Sequence, residues 1–157
     1  MLVGRALRVR RATPEDASTA ARIIADALAE YALPFEPEGR DADVATFGGK
    51  AEHDDLVAED EATGQALGVA SVGPQGEPGM AWISKVFVSK EARRRGAGRA
   101  LLEAAHAAAR GRGFREVGLR TRVIFREAIA LYESAGYARR EDPAALAPGD
   151  VVYYRRL

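Results

Sequence analysis

The stretch that most constrains this chain is Val86-Phe87-Val88-Ser89-Lys90-Glu91-Ala92-Arg93-Arg94-Arg95-Gly96-Ala97-Gly98-Arg99-Ala100-Leu101-Leu102. Its first three residues are a continuous apolar run, the pattern of a strand covered on both faces. Its last residues open an Ala/Leu-rich helix, and the basic turn between them is too polar for a core. Gly96 and Gly98 leave their backbone N–H groups unshielded by any side chain. The helix start adds unpaired donors and the positive end of its dipole. Strand, basic glycine loop and helix together make a cradle for a polyanion, most simply a pyrophosphate; the plainer alternative is a turn whose arginines are only solvated. A dinucleotide fold would need a third glycine where Leu101 stands and a tighter turn after the strand. Glu116 lies at the distance of a ribose-binding acid but opens the next strand instead of closing it. A P-loop needs Gly-Lys-Ser/Thr, which the chain lacks.

Composition narrows the rest. With 157 residues, the chain suits one domain, 1–157, with a sizeable core. No long apolar run, signal peptide or lipidation motif is present, so the expectation is a soluble cytoplasmic protein that uses no membrane. The absence of cysteine excludes disulfides, zinc–thiolate sites and a thiol nucleophile. Only His53 and His106 can offer imidazoles, so no metal is expected. A net charge of zero argues against general nucleic-acid binding. That balance hides an asymmetry: residues 1–62 carry fourteen acidic and seven basic side chains, and residues 63–157 carry nine and sixteen. One half suits an anionic ligand and the other attracts a cation, unless the surface is simply uneven. Asparagine is absent and lysine occurs only at 50, 85 and 90, a composition that fits a GC-rich genome and a heat-adapted host.

In chain order, residues 7–10 alternate as a half-buried strand. Thr13-Pro14-Glu15-Asp16 reads as a helix start, and Ala17, Ala20, Ile24, Leu28 and Tyr31 repeat at helical spacing, so the helix is expected to reach about Tyr31. A Pro-rich break follows, then a short acidic helix at 41–47. Strands are expected at 55–59 and 66–72, joined by a hairpin turn, with the second weakened by Gly68. A glycine-rich loop leads to the strand at 81–88, and the helix at 98–110 buries Ala97, Leu101, Ala104, Ala105 and Ala108. A strand at 116–121, reached through that helix, favours parallel pairing with 81–88. A helix at 126–135, a short strand at 137–139, a loop at 143–149 and a last strand at 151–156 complete the chain.

From the last helix into the turn after it, Glu127-Ala128-Ile129-Ala130-Leu131-Tyr132-Glu133-Ser134-Ala135-Gly136-Tyr137 resembles motif B of the GNAT superfamily of N-acetyltransferases, Ala-Ile-x-Leu-Tyr-x-x-x-Gly-Phe/Tyr. One strand earlier, Arg93-Arg94-Arg95-Gly96-Ala97-Gly98 resembles motif A, Arg/Gln-x-x-Gly-x-Gly/Ala. The order of elements matches over nearly the whole chain. The resemblance implies an α+β, three-layer fold: a mixed, mostly antiparallel sheet of about seven strands with helices on both faces. It also implies acetyl-coenzyme A as cosubstrate, lying where strands 81–88 and 116–121 splay apart. A bulge near Phe87 or Val88 is expected, leaving backbone groups of Val86, Phe87 and Val88 free for the pantetheine arm. Backbone N–H groups across Arg94, Arg95, Gly96, Ala97, Gly98 and Arg99 are expected at the pyrophosphate, and the side chains of Arg93, Arg94 and Arg95 near the 3′-phosphate. The implied reaction is direct attack of an uncharged amine on the thioester in a ternary complex. A backbone N–H, that of Val86, faces the oxyanion, and Tyr132 protonates the departing thiolate.

Two positions depart from the family pattern. Phe125 stands where many members place an asparagine that bonds the coenzyme, a contact left to a backbone group or to Thr121. The place of the usual glutamate base falls near Trp82, on a strand without carboxylates whose one hydroxyl, Ser84, is a poor base. Glu77, Asp54, Asp55, His53 and a water chain remain open as the base. The acceptor is expected to meet residues 31–50, 73–79 and 142–150. A small primary amine (amino acid, polyamine or amino-sugar) is favoured by the acids of the 30–61 region. A protein amine, or a coenzyme-binding sensor without turnover, is the alternative, and a homodimer is possible in this family.

Overall fold

The structure, a computed structural model, describes residues 6–141 and 147–157. Strands β1 (Leu7–Arg11), β2 (Asp54–Asp60), β3 (Ala66–Pro74), β4 (Met80–Val88), β5 (Glu116–Arg122), β6 (Ala138–Arg140) and β7 (Asp150–Arg156) form one sheet in the order β1-β2-β3-β4-β5-β7-β6. Helices α1 (Ala17–Ala29), α2 (Ala97–Gly111) and α3 (Arg126–Ser134) flank it. Neighbouring strands run antiparallel except β4 and β5, which α2 connects as a crossover. The mixed seven-stranded sheet between helices is the fold class implied by the two motifs.

The two faces are read from the burial pattern. On one, Ile23, Ile24 and Leu28 of α1 pack with Val44, Phe47, Val57 and Val69, and Phe87 joins them. Ile23 and Ile24 are each 1% exposed, and burying one such side chain contributes roughly 1.5–3 kcal/mol. On the other, Leu101, Leu102 and Ala105 of α2 and Tyr132 of α3 cover Leu56, Leu67, Ala70, Ile83 and Leu119. Gly68, which weakens β3 as a strand, is needed beneath α2: a Cβ there would stand 3.0 Å from Leu101 Cδ1 and 3.0 Å from the Phe87 carbonyl oxygen.

Several elements differ from the sequence expectation. Helix α1 stops at Ala29 instead of Tyr31, because Ala32 turns to φ 56° and the Leu33 N–H folds back onto the Leu28 carbonyl. The acidic helix expected at 41–47 is one 3-10 turn, Ala42–Thr46, that drops Val44 and Phe47 into the core. Its entry is tied by the Asp41 carboxylate, which accepts the Glu36 N–H at 2.8 Å. Of the loop expected at 143–149, residues 143–146 lie outside the described residues.

The bulge lies earlier than expected. Val69 pairs with Phe87 and Gly68 with Val88, yet Ser71 pairs with Ser84, so Lys85 and Val86 together oppose Ala70. Lys85 takes φ 56°. Phe87 is committed to the α1 side and Val88 packs toward α2, so the extra residue is absorbed before them. The bulge turns β4 away from β5. Their pairing covers only Met80↔Glu116 through Ile83↔Leu119, and beyond that rung the strands separate.

Candidate active site

A cavity of about 1100 Å³ fills the split. Ile83 to Val88 of β4 and Leu119 to Arg122 of β5 form its walls. Arg93, Arg94 and residues 96–99 close one end, and Ala128, Leu131 and Tyr132 of α3 close its side. Tyr31, Leu33, Glu36, Arg40 and Asp41 also border it. Beyond Ile83 the β4 edge facing β5 has no strand partner, so its backbone groups are available to a ligand lying along it.

The loop end has the anatomy of an anion site. Gly96 holds φ 82°, where a side chain would be strained, and Arg94 holds φ 73°. The Ala100 N–H is the first to bond back into the helix, to the Gly96 carbonyl at 3.0 Å, so the donors just before it point out of the helix end. Gly98 sits tightly under α3, where a Cβ would be 3.0 Å from Leu131 Cδ2. The three consecutive arginines part company. Arg93 forms a two-pronged pair with Glu30, the residue just after α1, at 2.5 and 2.7 Å. Arg95 turns out of the cavity lining to Asp60 Oδ2 at 2.9 Å. Arg94 lines the cavity with no ion-pair partner among the described residues. Arg99 also lines it, donating to Ser134 Oγ at 2.8 Å.

Tyr132 is 5% exposed and reaches the cavity from α3. Burial pushes its phenol well above the ordinary range, so it stays protonated. Its ring packs on Tyr137, centroids 5.9 Å apart. Behind Tyr137 lies a buried chain not legible in the sequence. Tyr137 Oη is 2.6 Å from His106 Nε2, and Arg155 lies 2.9 Å from His106 Nδ1. A guanidinium only donates, so Nδ1 accepts, and the neutral ring carries its proton on Nε2 and donates to Tyr137. Burial, then the charges of Arg155 and Arg110, lower the His106 pKa to about 4, which keeps that ring neutral. The 3.6-residue spacing of Leu102, His106 and Ala109 is the signal that places His106 on the buried face.

Phe125 stands edge-on to Tyr31, centroids 4.8 Å apart, in the cavity wall. Thr121, 8% exposed, also borders the cavity. None of the four side chains left open as the base does. Asp54 is clasped by Arg112 at 2.7 Å and Arg11 at 2.5 Å. Burial alone would raise its pKa, but the two guanidiniums outweigh it and hold it below the ordinary range. Asp55 accepts the Gly48 N–H at 2.7 Å, the His53 ring lies against Gly73, and Glu77 borders a hollow at the far end of the sheet. The carboxylates that do border the cavity are Glu36, Asp41, Glu127 and Asp150. Asp43 pairs with Lys85 of the bulge. Among the described residues no group of three or more His, Cys, Asp or Glu is arranged to hold a metal ion, and no helix is long and apolar enough to cross a membrane.

Comparison with known proteins agrees with this geometry. The sequence profile of the acetyltransferase (GNAT) family matches residues 21–137. A GNAT-family acetyltransferase from Staphylococcus aureus Mu50 superposes with a TM-score of 0.80 at 16% identity, covering 96% of this chain and 99% of that one. A GCN5-related N-acetyltransferase from Kribbella flavida gives 0.79 at 27% identity, covering 97% and 98%. The PaiA N-acetyltransferase of Thermoplasma acidophilum, solved in complex with coenzyme A, gives 0.74 at 14% identity, covering 97% and 99%. No curated protein matches the sequence. A family match over most of the chain, on a sheet that splits beside a glycine loop and a buried tyrosine, makes this protein a member of the GNAT acetyltransferase family.

Proposed function

We propose that the protein transfers the acetyl group of acetyl-coenzyme A to the primary amine of a small molecule, by direct attack within a ternary complex. The observation that carries this reading is the abrupt end of β4–β5 pairing at Ile83↔Leu119, which puts unpaired β4 backbone, the glycine loop and Tyr132 around one cavity. The outward N–H groups at residues 96–99, with Arg94, hold the pyrophosphate, and the free edge of β4 pairs with the pantetheine arm. The amine gives its proton to solvent before attack. Its lone pair forms the C–N bond, and the carbonyl oxygen takes the negative charge beside the Val86 N–H. Collapse of that oxyanion breaks the C–S bond; the thiolate takes the Tyr132 proton, the nitrogen releases its extra proton to water, and water returns a proton to the Tyr132 phenolate.

Calorimetric titration with acetyl-coenzyme A, followed by thiol release with free amines and with peptides, tests the proposal. Binding together with thiol release that depends on a free amine is expected. Faster release with peptides would indicate a protein acetyltransferase. Binding without release from any amine would indicate a coenzyme-binding sensor, a reading that Phe125 in the wall favours.

A further inference from the structure

We infer that the acceptor carries a carboxylate beside its amine, placing it among the free α-amino acids, and that Arg120 holds that carboxylate. The inference rests on the acetyltransferase reading above. Strand β5 alternates: Val117, Leu119 and Thr121 are buried, and Val117 and Leu119 belong to the core under α2. Gly118 lies against Trp82 and Tyr154 on the opposite face, the α1 side, and the two-residue period puts Arg120 and Arg122 on that side too. Ile83↔Leu119 is the last β4–β5 rung, so Arg120 is the first β5 residue past the split, level with Ser84 across the gap. It borders the cavity and has no ion-pair partner among the described residues. Arg122 stands one repeat further along, 4.0 Å from Asp150.

A guanidinium at a cavity wall without an anion of its own can receive one, and its planar fork matches a carboxylate. The phosphates of the donor have their own cations, Arg94 and Arg99, at the loop end. That loop leads into α2, which covers the opposite face of the sheet from Arg120. Glu36 and Asp41 border the same cavity and supply negative charge for an ammonium. Carboxylates and an unpaired guanidinium bordering one cavity complement a zwitterion better than a polyamine.

The test measures kcat/KM for pairs differing only in that carboxylate: leucine and isoamylamine, phenylalanine and phenethylamine, lysine and cadaverine, with O-phosphoethanolamine added. A free amino acid also deprotonates more readily than its amine, so the diagnostic quantity is the change on substitution. Arg120→Ala is expected to lower kcat/KM for the amino acids by roughly 10- to 100-fold, mostly through KM, and to leave the amines within about 3-fold. Arg120→Lys recovers part of the loss. Arg120 is exposed, and an unchanged melting temperature of each variant certifies folding. Equal loss for both members of each pair, a wild-type preference for the bare amines, or O-phosphoethanolamine exceeding every amino acid overturns the inference. Absence of turnover with every amine despite acetyl-coenzyme A binding fails the parent reading instead.

Discussion

A phenol that hands a proton to a departing thiolate must be protonated throughout the working range, and burial does this for Tyr132. Replacing Tyr132 by Phe removes the proton and keeps the ring packed on Tyr137. The expected result is a fall in kcat of about 10²- to 10³-fold with the acetyl-coenzyme A dissociation constant nearly unchanged, read by steady-state kinetics and calorimetry. The pH profile follows the same logic. Rate rises with pH as the amine loses its proton, and the raised phenol pKa leaves no descending limb below pH of about 10. A descending limb near pH 9 would remove Tyr132 from the role. The residue was legible because motif B carries it. Its support was not: nothing local in His106 or Arg155 tells that α2 and β7 bring them together behind Tyr137.

At the scale of elements, the loop from Ser89 to Gly96 separates residues that look alike in sequence. Arg94 faces the cavity, and Arg95 ties the loop to Asp60, which also caps the β2–β3 turn by accepting the Ala62 and Thr63 N–H groups at 2.9 Å each. Arg94→Ala is therefore expected to weaken acetyl-coenzyme A roughly 5- to 20-fold, an effect that shrinks with added salt, with little change in melting temperature. Arg95→Ala should do the reverse, lowering the melting temperature while moving affinity less than about 3-fold. Titration and thermal unfolding of both variants check the contrast, and equal affinity losses would undo the division of labour. Gly68→Ala probes the same packing from β3. Its Cβ would meet the Phe87 backbone and Leu101 at 3.0 Å, so a loss of about 2 kcal/mol, or about 4–8 °C in melting temperature, is expected from thermal unfolding. A single sequence shows Gly68 only as a poor strand former; its need appears once α2 lies across it.

At the scale of the whole molecule, the buried His106 couples stability to pH. Its pKa is about 4 when folded and an ordinary 6.5 when unfolded, so between those values the unfolded chain binds the extra proton. Stability from the neutral ring is therefore full above about pH 6.5, declines as pH falls toward 4, and is lost below that. The shift corresponds to roughly 3 kcal/mol at its limit. Denaturant unfolding at several pH values should show this decline, and His106→Gln should flatten the pH 4–6.5 window. A wild-type curve already flat there would contradict a buried neutral imidazole. Asp54 and Glu59, held below their ordinary range by arginine partners that outweigh burial, add a further loss only as pH falls lower still.

The sequence by itself determined the fold class, and it marked the glycine loop and Tyr132 as candidates for the donor site and the proton donor, because each rests on local signals. Period-2 and period-3.6 patterns, two glycines before a helix and a tyrosine in a short motif survive being read one window at a time. Only the tertiary structure decided where the bulge falls, which arginine faces the cavity, and which carboxylates border it. The bulge moved to Lys85 and Val86 because Phe87 and Val88 are held in register with Val69 and Gly68 by cores on opposite faces. Asp54, Asp55, His53 and Glu77 are spent on other contacts or lie elsewhere, while Glu36, Asp41 and Asp150 come from segments far apart in the chain. Charge identity is written in the residue, but its partner is set by which strands and helices meet, and that information is non-local.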